Sequence, residues 1–188
     1  GLSSMQLDFE DRGFYFQKNS RVDMRFDQTE GETASELINR LNQEELANII
    51  YEFGEERRSR RIAKSIKKSN TINTTIDLAD AIKKSTPLNQ RNKTLARVFQ
   101  AIRIAVNGEI EKLKIFLDIF LQYLNKEGRL VIMSYHSIED RIVKNFFREL
   151  KKRNKAFVLT KKPLTPSTEE IQLNRRSRSA KVRALEKK

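Results

Sequence analysis

The single histidine of the chain, His136, stands where a strand-like segment meets the start of a helix. The apolar run 129–135 is typical of a strand buried on both faces, and Ser137 after it is typical of a helix cap. Asp140 falls in the first helical turn, where a carboxylate interacts favourably with the helix dipole. Ligand sites of α/β sheets form at the carboxyl ends of strands. We therefore expect a substrate contact or a structural active-site role for His136, with an ordinary core histidine as the alternative.

Three polar side chains, Arg103, Asn107 and Arg141, lie on helices whose pattern is otherwise apolar. In a cleft that meets nucleic acid, such side chains contact phosphates or base edges. Inside a core they form ion pairs and hydrogen bonds instead. The sequence leaves both uses open.

Two aromatic residues near the start of the chain, Phe14 and Phe16, follow Arg12. Aromatic rings stack on unpaired bases of RNA, and an enzyme that acts on a paired base must first expose it. The rings could therefore hold a flipped base. Packing of this segment against the helical part of the chain is the use that we favour.

The chain is strongly basic, because 38 Lys and Arg stand against 25 Asp and Glu and give a formal charge of +13. Such a charge is typical of proteins that meet phosphate. Cations are concentrated in a predicted helix at about 55–68 and in the segment 175–178. Both are candidate surfaces for an RNA backbone, which they would bind in a salt-dependent way. A solvated face is the alternative for each.

Several classes of protein are disfavoured by composition. Cysteine is absent and histidine occurs once, so neither a disulfide framework nor a Cys/His zinc site can be built. We expect a metal-free mechanism. No apolar run approaches the length of a membrane span, and no N-terminal segment has the order of a signal peptide. The expectation is a cytoplasmic protein without a membrane partner.

Helix signals fill the segment 33–86. Thr33 and Glu36 have the spacing of a capping box, and Asn42 is placed to cap a second helix that stops at Gly54. The predicted helices cover 33–41, 42–54, 55–68 and 74–85. This segment is therefore predicted to be a small all-helical unit.

The pattern changes beyond this unit. A helical period covers 94–124, with Gly108 as a kink or a break, so that one long helix or two are expected. A strand at 129–135, a helix and a strand at 156–160 follow, and 179–186 is either an edge strand or a charged tail. This order of helices and strands predicts an α/β fold with crossover helices.

The predicted strands are too few for a sheet covered by helices on both faces. The chain also opens without a Met, at Gly1, in a segment that is typical of the loop after a strand. We therefore expect a fragment, with the first half of the sheet encoded upstream.

Six motifs stand in a fixed order along the chain: GLSSMQLD (1–8), DRGFYF (11–16), DMRFD (23–27), FQAIRIAVNGE (99–109), SYHSIEDRIVK (134–144) and RSAKVR (178–183). In this order they resemble the motifs of one family, the rRNA small-subunit methyltransferase H family, also called MraW. The resemblance covers the chain from its first residue to near its end, and the ordered set is far more specific than any one motif.

The resemblance implies a class I, Rossmann-like methyltransferase sheet, here partial, with an inserted all-helical domain. Residues 1–30 would be the motif loop after the fourth strand, 31–92 the helical insert and 93–188 the C-terminal half of the methyltransferase domain. The glycine-rich loop that approaches S-adenosylmethionine would lie upstream of the chain.

The implied reaction is methylation of the exocyclic N4 of a cytosine in the decoding region of 16S rRNA, with S-adenosylmethionine as the cofactor and the small ribosomal subunit as the partner. Gly1 and Gln6 would contact the cofactor. Ser3, Ser4 and His136 would form the catalytic set, with the two serines holding the target amine; a plain turn role is about as favoured for the serines. The implied substrate and RNA contacts are Arg12, Phe14, Arg25, Arg103, Asn107, Ser137, Asp140 and Arg141.

One segment departs from the family pattern. Many members have His-Pro-x-Thr-Arg where this chain has KTLAR at 93–97, so a contact made by that His or that Thr is not carried over. Two other functions stay open: a non-enzymatic RNA-binding or ribosome-assembly module, and methyl transfer to DNA or a lipid. A homodimer is an open alternative to a monomer. We expect the isolated chain to be inactive alone.

Overall fold

The structure is a computed structural model that describes residues 12–69 and 71–188. Gly1, Ser3, Ser4 and Gln6 lie outside the described residues. The chain divides into two compact units, 1–109 and 110–188, and each has its own hydrophobic core. This division rests on contacts within the chain, so the expected boundaries of a methyltransferase domain and a helical insert stay a prediction.

The described part of the first unit is helical, as its sequence pattern predicts. Capping boxes start three of its helices: the side chains of Thr33, Asn42 and Thr74 each accept a hydrogen bond from the backbone three residues on. Its elements are α1 (Ala34–Arg40), α2 (Gln43–Gly54), α3 (Ser59–Lys67), α4 (Thr75–Lys84), a 3-10 turn (Leu88–Gln90) and α5 (Arg91–Asn107).

The core of the first unit is formed where the apolar faces of these helices meet. Helix α3 is the most polar of them, and its buried face consists of Ser59, Ile62, Ala63 and Ile66. The apolar side expected for this helix is therefore confirmed. The helix begins later than expected, because the Glu56 carboxylate accepts a hydrogen bond from the backbone N–H of Arg58 and forms a turn there.

Gly108 separates two helices, which decides between the alternatives left open for 94–124. Its backbone is left-handed, with φ of 58°, and α5 ends immediately before it at Asn107. Glycine adopts this conformation without the steric cost that a Cβ brings. The next helix, α6, spans Glu109–Ile119.

The second unit is a small sheet with helices. Its elements after α6 are a 3-10 turn (Phe120–Tyr123), β1 (Arg129–Ser134), α7 (Ser137–Lys152), β2 (Ala156–Val158), α8 (Thr168–Leu173), a 3-10 turn (Arg175–Ser179) and β3 (Lys181–Lys187). The mixed α/β character of the prediction is confirmed. A larger doubly wound sheet stays a prediction.

The expectation for 179–186 is wrong in both of its forms, because β3 is the middle strand of the sheet. The strand order is β1-β3-β2, and β3 is antiparallel to both neighbours. Strands β1 and β2 are therefore parallel, and α7 connects them. The charge of β3 is misleading because one of its cations, Arg183, is buried and paired, while Leu185 on the same face enters the core.

Strand β1 is also not buried on both faces in the described chain. Leu130 and Ile132 pack on the core that contains Phe147 of α7. The opposite face is open, since Val131 is 62% and Met133 is 54% exposed. A continuous apolar run therefore does not distinguish a strand with one covered face from a strand buried on both faces.

Helix lengths bear on membrane insertion. A transmembrane helix needs about 20 predominantly apolar residues, whereas α5 has 17 residues and α7 has 16. Among the described residues, no helix is long and apolar enough to cross a membrane.

Candidate functional site

The junction between β1 and α7 is built around His136. The imidazole Nδ1 accepts a hydrogen bond from the backbone N–H of Glu139 at 3.3 Å, so His136 caps the helix. Ser137 is the first helical residue, and the expectation that it caps α7 is wrong. His136 can take this position because its backbone is extended, with φ −139° and ψ 163°.

The carboxylate of Glu139 lies beside the imidazole ring of His136. Its Oε2 accepts a hydrogen bond from the backbone N–H of Tyr135 at 3.1 Å and lies 3.4 Å from Nε2 of His136. Because Nδ1 is an acceptor, the proton of the neutral ring is on Nε2, on the side of this carboxylate. The side chain of His136 is 7% exposed, so the orientation of the imidazole is set by protein groups.

The carboxylate of Asp140 is bound by cations of β3. Nε of Arg183 donates to Oδ1 at 2.6 Å and Nη2 donates to Oδ2 at 3.2 Å, while Lys181 Nζ lies 3.6 Å away. Burial acts to raise the pKa of Asp140, but the hydrogen bond and charge of Arg183 and the charge of Lys181 outweigh it and hold the pKa below its ordinary value. The contacts of Asp140 thus favour the core ion pair over a direct contact with RNA. Arg141 beside it in sequence is exposed.

Asn107 clamps a loop of the first unit to the end of α5. Its Oδ1 accepts from the backbone N–H of Phe26 at 2.7 Å, and its Nδ2 donates to the carbonyls of Met24 at 2.7 Å and Arg103 at 2.8 Å. Met24 is fully buried and has a φ of 59°, which is strained for a side chain of its size. Asn107 binds the carbonyl of this strained residue and the amide two residues after it, and so holds the loop in this conformation.

Three arginines of the first unit that the family motifs make candidates for RNA contact have partners within that unit. Arg103 binds Glu109, with Nε to Oε1 at 2.8 Å. Arg25 makes a two-point contact with Asp23, at 2.9 and 2.8 Å. Arg12 donates from Nη1 to the Phe26 carbonyl at 3.1 Å. These contacts organise the loop, and a direct role in RNA binding stays a prediction for each cation.

The aromatic pair near the start of the described chain is used in packing. The ring of Phe14 lies 6.1 Å from that of Phe26, and the ring of Phe16 meets Phe99 edge-on at 5.5 Å. Both rings pack against the core of the first unit. These contacts agree with the packing role that we favoured for both rings. Base stacking by Phe14 stays a prediction.

A buried carboxylate in the first unit was not singled out by sequence. Glu56 is 5% exposed and accepts from Thr94 Oγ1 at 3.2 Å, with Arg97 Nη1 at 3.5 Å. Both partners lie in 93–97, where the chain departs from the family pattern. No periodicity indicates this contact, because Glu56 lies in a turn. Two motif residues, Glu139 and Arg183, were also not singled out from the sequence. The alternation of faces along a strand could have indicated Arg183, because it shares a face with the apolar Leu185.

The basic face expected on α3 is smaller than the sequence suggests. Lys67 donates to the carbonyls of Ile38 and Asn39, both at 3.0 Å, and so binds the end of α1. Arg58 donates to Gln90 at 2.7 Å. The remaining five cations are exposed, and none of them forms an ion pair with a residue in 12–69 or 71–188: Arg57, Arg60, Arg61, Lys64 and Lys68. We call these five residues the α3 cationic face. Arg175, Arg176 and Arg178 are also exposed.

Fold and site together define a mixed α/β chain that carries a buried histidine at a strand end and a helical unit with an exposed cationic face. Residues 1–188 match the model of the MraW methylase family, and the chain belongs to that family. The family assignment expected from the ordered motifs is therefore confirmed.

Curated relatives agree with this assignment. The chain is 46% identical to the ribosomal RNA small subunit methyltransferase H of Acidobacterium capsulatum, covering 100% of the chain and 64% of the relative. It is 47% identical to the protein of that name from Rippkaea orientalis, at 100% and 62% coverage. A third relative of the same name, from Caldicellulosiruptor bescii, is 44% identical at 100% and 67% coverage. The chain thus spans less than two thirds of the length of the first two relatives.

Removing one partner of the buried ion pair should destabilise the second unit. We expect Asp140→Leu to cost about 3 kcal/mol, since it leaves Arg183 buried without its carboxylate. The double variant with Arg183→Met should recover most of this loss. Glu149→Gln on the same helix removes an exposed i,i+4 pair with Arg153 and should cost at most about 0.5 kcal/mol. Urea denaturation at neutral pH measures all three, and a double variant no more stable than the single one would contradict the prediction.

The same pair predicts a pH dependence. The folded-state pKa of Asp140 is depressed. The contribution of Asp140 to the free energy of unfolding is therefore fully present above its unfolded-state pKa of about 3.9, and it is lost as pH falls through the folded-state pKa. Asp140→Asn should therefore flatten the acid limb of the urea midpoint plotted against pH. An unchanged acid limb would contradict this.

The Asn107 clamp should depend on its amide. Asn107→Asp places a carboxylate oxygen against two carbonyl oxygens, and we expect a loss of about 2–3 kcal/mol together with faster hydrogen exchange at the Phe26 amide. Asn92→Asp makes the same chemical change at an exposed position of α5 and should stay within about 0.5 kcal/mol of the parent. Equal losses of stability for the two substitutions would show that the Asn107 hydrogen bonds do not hold the loop in place.

Proposed function

We propose that this chain is part of an enzyme that transfers a methyl group from S-adenosylmethionine to the exocyclic N4 of a cytosine in 16S rRNA. The observation that carries the proposal is the match of the whole chain to the MraW methylase family, together with relatives named for the small-subunit rRNA. Because the chain spans only 62–64% of the first two relatives, the activity is assigned to a longer protein that contains this chain. The cytoplasm, where small subunits are assembled, is its proposed location.

Methyl transfer to an exocyclic amine depends on positioning. The amine is a poor nucleophile because its lone pair is conjugated into the ring, so the protein must align it with the methyl group and accept its hydrogen bonds. Ser3 and Ser4 are proposed to hold the amine, and both lie outside the described residues. His136 is proposed to act at the carboxyl end of β1, with an orientation set by Glu139.

The cofactor supplies an electrophilic methyl group when it is bound. Gly1 and Gln6 are proposed to contact it. Both lie outside the described residues, and the cofactor is proposed from the family.

The α3 cationic face supports an RNA partner. Its five cations are exposed and have no ion-pair partner among the described residues, as expected of a surface that neutralises phosphates. The other proposed RNA contacts divide into two kinds. Ser137 and Arg141 are exposed at the start of α7, and these can reach RNA directly. Several others are engaged within the protein and would act by holding loops in place: Arg12, Phe14, Arg25, Arg103, Asn107 and Asp140.

An assay with labelled cofactor tests the proposal. The full-length product of the gene, given S-adenosylmethionine with a deuterated methyl group and small subunits from a strain lacking the gene, should place the label on cytosine in the 16S rRNA. The 188-residue chain alone should place none, and it should release no heat when titrated with S-adenosylmethionine in a calorimeter.

Three results would contradict parts of this account. Label on DNA or lipid but not on RNA would assign a different acceptor. RNA binding by the full-length protein without any transfer would favour a non-enzymatic assembly module. Turnover by the isolated chain would refute its expected inactivity.

A further inference from the structure

A groove in the second unit lies between α7 and the end of β2. It has a volume of about 250 Å³, and its apolar floor includes Phe147 and Val158. Pockets for drug-sized ligands are typically about 300–1,000 Å³, so this groove suits one small group. None of the described residues that line it is acidic.

Three cations line the groove: Lys144 and Arg148, one turn apart on α7, and Lys161 after β2. None of the three forms an ion pair with a residue in the described ranges. Like charges at i,i+4 on a helix disfavour one another, and the third cation adds to this repulsion. A bound anion would relieve it.

A fourth cation lines the groove but is already neutralised. Arg183 is bound on its other side by Asp140 at 2.6 Å, so its position does not depend on a ligand. Thr160 also lines the groove, and its hydroxyl is hydrogen-bonded to the backbone of Ala184. The groove therefore combines a fixed wall with three cations that have no ion-pair partner in the part of the chain that the structure describes. This is the arrangement expected for a group with concentrated negative charge.

We propose that this groove binds one phosphate of the RNA backbone, held by Lys144, Arg148 and Lys161. The inference rests on the proposed rRNA substrate, and it adds a contact in the second unit to the α3 cationic face of the first. A backbone phosphate fits because it presents one compact anionic group, whereas a nucleobase would need more of the floor to be exposed than the buried Phe147 offers.

Salt dependence of RNA binding tests the groove. The 188-residue chain is titrated with a fluorescently labelled transcript of the decoding region, read by anisotropy, from about 50 to about 200 mM salt. Each lost phosphate contact lowers the slope of log affinity against log salt by about 0.7 to 0.9. The double variant Lys144→Gln with Lys161→Gln should therefore lose about threefold less affinity over this range than the parent chain.

The matched control is Lys112→Gln with Lys114→Gln, two exposed lysines of α6 that make the same change in net charge. It should leave the slope unchanged. Equal slopes for both double variants would overturn the proposal, because the loss would then follow net charge and not the groove. No salt-dependent RNA binding by the unsubstituted chain would instead count against the rRNA substrate itself.

A second arm separates RNA from free phosphate. Inorganic phosphate is titrated into labelled chain, and the backbone amide signals of Thr160 and Lys161 are followed by NMR. Saturable shifts in the parent and not in the Lys144/Lys161 variant support a phosphate site. Such shifts without any change in the RNA slope would overturn the RNA assignment in favour of a free anion.

Discussion

The carboxylate of Asp140 lies 2.6 Å from the guanidinium of Arg183, and this pair joins the first turn of α7 to the middle strand of the sheet. Neither charge could stay in this buried position without the other. The start of α7, and with it the ring of His136 that caps the helix, is thereby tied to β3. Because Arg183 also lines the groove on α7, one buried contact sets the position of both candidate sites of the second unit.

Local signals in the sequence were sufficient for the capped helices of the first unit. Thr33, Asn42 and Thr74 start their helices as capping boxes because these contacts need only residues three apart. The middle position of β3 could not be predicted in this way. It depends on a partner for Arg183 that is 43 residues away in sequence, and a charged strand with a buried cation has the same pattern as an exposed edge strand.

The candidate site could be predicted only in part, because its contacts also depend on backbone angles and on residues distant in sequence. The motif around His136 indicates a strand that meets a helix, but the choice of cap depends on backbone angles, and His136 takes the place expected for Ser137. Asn107 was singled out as a polar residue on an apolar helix. Its role as a clamp could not be predicted, because its partners lie in a loop some 80 residues earlier in the sequence. The family resemblance located these residues, and the contacts assign most of them to holding structure in place.

We propose that the longer protein containing these contacts places a methyl group on the N4 of an rRNA cytosine. The most direct measurement is mass-spectrometric mapping of 16S rRNA from a strain that lacks the gene, with and without a plasmid that carries the full-length gene. We predict that N4-methylated cytosine is absent from the deletion strain and returns with the plasmid. Persistence of that modification in the deletion strain would contradict it.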